Sequence, residues 1–167
     1  MMLATLRSTG FMAYGAIGLI FLATQVYAEE HSHEPGEHNG GYTLNQGKKW
    51  EGDEILRQGM DNIRQVVTTS QDAIEKDRLG SQDYQRLAET VDKTVAGIVK
   101  NCKLTKEADT AFHAIVLADL TRSTELMRMT PKTQVQRAGA LGVLQSLRNY
   151  GENFQHPGWS LNDVRSR

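Results

Sequence analysis

Only one cysteine occurs in the 167 residues, and this scarcity excludes much at the outset. A single thiol builds neither an intrachain disulfide framework nor a multi-cysteine zinc site. An excess of one charge is missing as well: 19 Lys and Arg stand against 20 Asp and Glu, a formal net charge of −1. A module that grips duplex nucleic acid normally carries a clear basic excess, so no nucleic-acid partner is expected. Collagen-like, disulfide-scaffold and polytopic membrane compositions are also absent. What remains, with 39% hydrophobic residues, is enough for one ordinary domain.

The motifs of common chemistries are missing too. No Cys-x-x-Cys-His occurs, which excludes covalent c-type heme attachment. The run from His33 to His38 (HEPGEH) has one residue too many for a zincin helix and contains proline. Inward-facing pairs of Glu-x-x-His, which build di-iron sites in bundles, are not available, because the one Glu-x-x-His (Glu30 to His33) lies outside the helical texture. Neither a phosphate-cradling glycine loop nor a nucleophile elbow is present. The sequence therefore reads as a non-enzymatic binding or scaffolding protein.

Residues 1–28 read as a cleavable export signal: Arg7 gives the positive start, residues 11–22 the apolar stretch, and Ala28 the small residue before Glu29 and Glu30. The stretch is shorter than the ~20 apolar residues a membrane span needs, which predicts a periplasmic product with no stable membrane insertion after cleavage. In an oxidising compartment Cys102 is buried, a ligand, or an intermolecular partner that joins a homodimer. Residues 29–49 (EEHSHEPGEHNGGYTLNQGKK) contain little apolar material and predict a flexible arm.

From Trp50 the texture becomes helical. Leu56, Met60, Ile63, Val67 and Ile74 recur at helical spacings and predict a first helix over about 53–78, stopped by Leu79-Gly80. Ser81 is expected to cap a second helix with the stripe Tyr84, Leu87, Val91, Val95, Ile98 and Cys102. Thr105 is expected to cap a third, with Ala108, Phe112, Ile115, Val116, Leu120 and Met127 on one face. Thr130-Pro131 signals the start of a fourth, which carries Val135, Ala138, Leu141, Leu144 and Leu147 and ends near Phe154 ahead of Pro157. Its Gly139, Gly142 and Gly151 cost helix propensity but allow a neighbouring backbone to come close. Four helices with short connections predict an all-α, antiparallel up-down-up-down bundle over 50–156, with a tail over 157–167.

Alternating helix directions would bring Met60, Cys102, His113 and His156 to one end, flanked by Trp50 and Trp159. Sulfur and imidazole donors suit copper, zinc or nickel, and heme iron accepts Met and His axially. Each residue also has a plain reading: Met60 and Cys102 as core, His113 as helix surface, His156 as a cap over free carbonyls. The arm adds His31, His33 and His38 among Glu30, Glu34 and Glu37, a tract that binds divalent transition metals by composition and not by a preformed geometry.

An exported four-helix bundle with Met60 early in its first helix and His156 just after its last resembles the soluble periplasmic b-type cytochromes and the cytochrome c-prime superfold. The resemblance covers residues 50–156. In the b-type proteins a methionine of the first helix and a histidine of the last grip heme, so the resemblance implies noncovalent heme b held by Met60 and His156. The chain departs from the pattern in setting His156 beside Pro157 and in lacking the c-type attachment motif. Residues 50–64 (WEGDEILRQGMDNIR) and the ending HPGW also look like those of small exported helical proteins of proteobacteria, a likeness that carries no activity. Three expectations stand together: a periplasmic bundle that binds or buffers a transition metal, a heme-binding electron-transfer protein, and a structural or interaction bundle without cofactor.

Overall fold

The structure, a computed structural model, describes residues 44–160; the expected export signal, the arm histidines and the end of the tail lie outside the described residues. The body is mostly helical, as the periodicity predicts. It comprises α1 (Glu54–Glu75), α2 (Ser81–Asn101), α3 (Lys106–Phe112), a π turn (His113–Leu117), α4 (Ala118–Arg128) and α5 (Thr133–Asn153). Among the described residues, strand structure is confined to an isolated Asn45/Lys48 bridge and a parallel pair, β1 (Trp50–Glu51) and β2 (Phe154–Gln155).

α1 packs against α2 and α5, and α4 packs against the same two helices, so the four long helical segments surround one core. Leu56, Met60, Ile63, Val67 and Ile74, the whole stripe expected for the first helix, are at most 1% exposed. Burying each such side chain contributes about 1.5–3 kcal/mol. Close approach between helices is set by glycines. A Cβ on Gly59 would run into the Ile98 side chain of α2, and one on Gly139 would lie 2.5 Å from the Ser123 carbonyl oxygen of α4. Gly142 faces the Ser123 hydroxyl in the same way. The low helix propensity of Gly139 and Gly142 is thus offset by the contact of α5 with α4.

The helix ends differ from expectation in three places. α1 stops at Glu75, ahead of Leu79-Gly80, because Asp77 adopts a left-handed conformation (φ 52°). The Arg78 N–H then reaches the Ala73 carbonyl at 2.8 Å and the Asp77 N–H reaches that of Ile74 at 3.2 Å, a Schellman pattern with aspartate in the usual glycine position. Gly80, not Ser81, caps α2, and the Asp83 carboxylate accepts its N–H at 2.9 Å. Pro131 lies ahead of α5 and not in its first turn: Lys132 is the cap and Thr133 the first helical residue. The third helix is a further correction, for it is not uniform α-helix between Thr105 and Met127. Among its buried residues, Ala108, Phe112, Val116 and Leu120 form a row at four-residue steps. A strict 3.6-residue helix would rotate that row off the core, and the wider π turn keeps it facing inward.

Two caps tie helices together. The N-cap Asp53 accepts the Leu56 N–H at 2.7 Å through Oδ1, and its Oδ2 accepts the Lys103 N–H just past α2. At the other end of α1, Arg137 of α5 donates from Nε and Nη2 to the Ile74 and Glu75 carbonyls, both at 2.7 Å. A cation there satisfies free carbonyls and complements the helix dipole.

Candidate functional site

The end of the body at which α1 begins and α5 finishes is where the structure gathers polar chemistry on an aromatic base. Phe154, the C-cap of α5, is fully buried and stacks on Tyr150 (centroids 5.4 Å apart, 9° between planes), with Phe112 edge-on at 5.9 Å. After Phe154 and Gln155 pair with Trp50 and Glu51, His156-Pro157-Gly158-Trp159 makes a tight turn. The backbone N–H of Trp159 donates to the His156 carbonyl at 3.1 Å, and Gly158 takes φ 81°. Proline then glycine with positive φ is the signature of a type II turn, which folds Trp159 back beside His156.

His156 lies at the centre of this arrangement. Its side chain is 6% exposed. Nδ1 is 3.0 Å from the Tyr150 hydroxyl, and Nε2 is 3.2 Å from Oδ2 of Asp61 on α1. With the carboxylate accepting from Nε2–H, Nδ1 is the acceptor for the Tyr150 O–H. Asp61 uses its other oxygen to accept from Arg64 Nη2 at 2.9 Å, and the Arg64 guanidinium lies 4.9 Å from the Trp159 ring centre. Trp159 in turn packs on Tyr150 (4.8 Å) and His156 (5.0 Å). Tail, α1 and α5 are therefore joined by one connected set of hydrogen bonds and ring contacts. Burial moves the groups toward their neutral forms: the Tyr150 hydroxyl is pushed well above its usual range, and the His156 imidazole is lowered despite Asp61 beside it, with Arg57 and Arg64 adding to the lowering.

Comparison with protein-family models, with curated proteins and with solved structures gives no match to this chain.

The residues expected at this end occupy four different settings. Met60 is fully buried within the core. His156 has both ring nitrogens engaged, so a place as an axial or metal ligand would require giving up Tyr150 or Asp61. The residues do not fit a heme gripped by Met60 and His156 as they stand. His156 also meets a hydroxyl and a carboxylate where a cap over free carbonyls was expected. Cys102 is the half-buried C-cap of α2; burial first, then the Asp53 and Asp109 carboxylates, hold its thiol above the ordinary value, the opposite of an activated thiolate. His113, the first residue of the π turn, is half exposed with Nε2 3.7 Å from Asp109 on its own helix. Among the described residues, no group of three or more His, Cys, Asp or Glu side chains is placed to hold a metal ion. His31, His33 and His38 lie outside the described residues.

Asp61, Arg64 and Tyr150 were not singled out by the sequence reading. The signals were there in weak form: a Pro-Gly turn between His156 and Trp159, and an Asp-x-x-Arg pair one step off the apolar stripe.

Proposed function

We propose that this chain is a non-enzymatic periplasmic helical bundle that binds or buffers a transition metal through its N-terminal arm, with the folded body as a rigid carrier. The observation that carries the reading is the engagement of His156. With its imidazole held by Tyr150 and Asp61, His156 is not open to a metal, and the reading rests on the sequence tract of His31, His33 and His38 with Glu30, Glu34 and Glu37 among them. A tract of that kind takes copper, nickel or zinc with little selectivity, as suits a buffer more than a catalytic centre. An antiparallel up-down-up-down order is part of the proposal. It is supported by Asp53 at the start of α1 meeting Lys103 after α2, and by Arg137 early in α5 meeting the end of α1. Among the described residues no helix is long and apolar enough to cross a membrane.

Metal titration of the purified exported protein by calorimetry tests the reading. Replacing His31, His33 and His38 together by alanine is expected to abolish copper and nickel binding, while Cys102→Ser and His113→Ala leave stoichiometry and affinity unchanged. Binding that survives the triple replacement and falls with Cys102→Ser or His113→Ala would move the site into the body. A Soret band in the purified protein would return heme to the first place.

A further inference from the structure

The hydrogen bonds that fasten the turn after α5 to α1 and α5 converge on one imidazole, and that fastening is chemically conditional. His156 bonds across to α1 through Asp61 and back to α5 through Tyr150, and its ring also supports Trp159, which lies over Tyr150 and under Arg64. Within the turn Pro157 and Gly158 are exposed, and the indole N–H of Trp159 is buried without a hydrogen-bond partner. We propose that residues 156–160 form a proton-operated latch, closed over the Tyr150 end of the bundle while His156 is neutral and released when His156 takes up a proton.

The groups that face the imidazole set the direction. From α1 come Asp61, which favours the cation, and Arg57 and Arg64, which oppose it; Glu54 lies within electrostatic range on the same helix. From α5 comes Tyr150, whose hydroxyl also senses Asp53 and Arg57. A proton on Nδ1 removes the acceptor of the Tyr150 O–H and places a charge on a largely buried ring, with two guanidinium groups near and one carboxylate already shared with Arg64. Burial outweighs the carboxylate, so the closed turn holds the neutral ring and the open turn the ordinary one. The sign follows: the closed state is favoured above the ordinary histidine value of about 6.5 and loses ground as the pH falls below it. Release would bare the Trp159 and Tyr150 rings at the end where α1 begins and α5 finishes. The inference concerns the body alone and stands whether or not the arm takes up metal.

The chain has two tryptophans, so Trp50→Phe leaves Trp159 as the sole reporter. In that full-length protein, Trp159 emission is expected to shift to longer wavelength between pH 7 and 5 while the helical circular dichroism stays constant; in the added presence of His156→Gln the emission is expected to stay flat. An unchanged emission in the parent, the same shift in the His156→Gln protein, or a shift that coincides with loss of helix would each overturn the latch. Should His156→Gln not fold, the ring-proton resonance of His156 in the parent decides: it must titrate with the same midpoint as the emission, and a separate midpoint overturns the proposal. Asp61→Asn removes the counter-charge and is expected to lower that midpoint; an upward move would contradict the direction argued here.

Discussion

Asp53 shows how much one side chain carries in this molecule. Its two carboxylate oxygens close the start of α1 and the backbone after α2, so both helix ends depend on it. Asp53→Ala removes an N-cap, a change that costs about 1–2 kcal/mol, and leaves the Lys103 N–H without its acceptor. The denaturation midpoint in urea is expected to fall accordingly with an unchanged slope, and Asp53→Asn, which keeps one acceptor oxygen, is expected to recover part of the loss. At the same scale the sequence was least legible. Asp61 and His156 lie far apart in the chain, and nothing in a period or a spacing pairs a polar residue of α1 with one in a turn after α5. Met60, one residue away from Asp61, was conspicuous as a sulfur donor early in the first helix, although it falls on the apolar stripe. His156 was found because it is an imidazole at the end of the last helix beside Pro157, but its partners required the fold.

The glycines separate two roles at the scale of the helices. Gly139 and Gly142 let α5 approach Ser123, and a methyl at Gly139 would lie 2.5 Å from the Ser123 backbone carbonyl oxygen, so something would have to shift. Gly139→Ala is expected to destabilise by about 1–3 kcal/mol, the range for overpacking a close contact. Gly97 in α2 has nothing within 4 Å of where its Cβ would stand. There Gly97→Ala is expected to stabilise by about 0.5–1 kcal/mol through helix propensity alone. Thermal unfolding of the two single variants side by side checks both signs. The helices themselves were legible because apolar residues recur at three and four, and Thr105 was legible as a cap because its hydroxyl has one obvious use: it accepts the Ala108 N–H at 3.2 Å. The π turn was not, although the four-residue recurrence from Ala108 to Leu120 contained it; a run of fours reads as ordinary helix until the core shows that every member is buried. The end of α1 was misplaced for a different reason. Asp77 takes a conformation that glycine adopts freely, and Gly80 three residues later drew the prediction to itself.

For the molecule as a whole, the buried hydroxyls govern behaviour in alkali. Tyr150 and Tyr84 are both fully buried, and burial raises both above the ordinary value of 10. The unfolded chain releases these protons near pH 10 while the folded chain retains them. Their contribution is therefore complete below pH 10 and lost as the pH rises beyond it. Chemical denaturation between pH 8 and 11 is expected to show stability falling above 10, with a shallower fall in Tyr150→Phe. The all-α class was legible at this scale from composition and period together, because four amphipathic stripes with brief breaks leave helices little to pack on except each other.

The short ribbon of Trp50–Glu51 beside Phe154–Gln155 has a mechanical meaning. The two strands run the same way, one at the start of the body and the other at its finish. A force drawn between residues before Trp50 and residues after Gln155 therefore pulls them lengthwise in opposite senses, loading their bonds side by side in shear and not peeling them open one at a time. The ribbon thus shields the helices behind it from tension between the two ends of the chain.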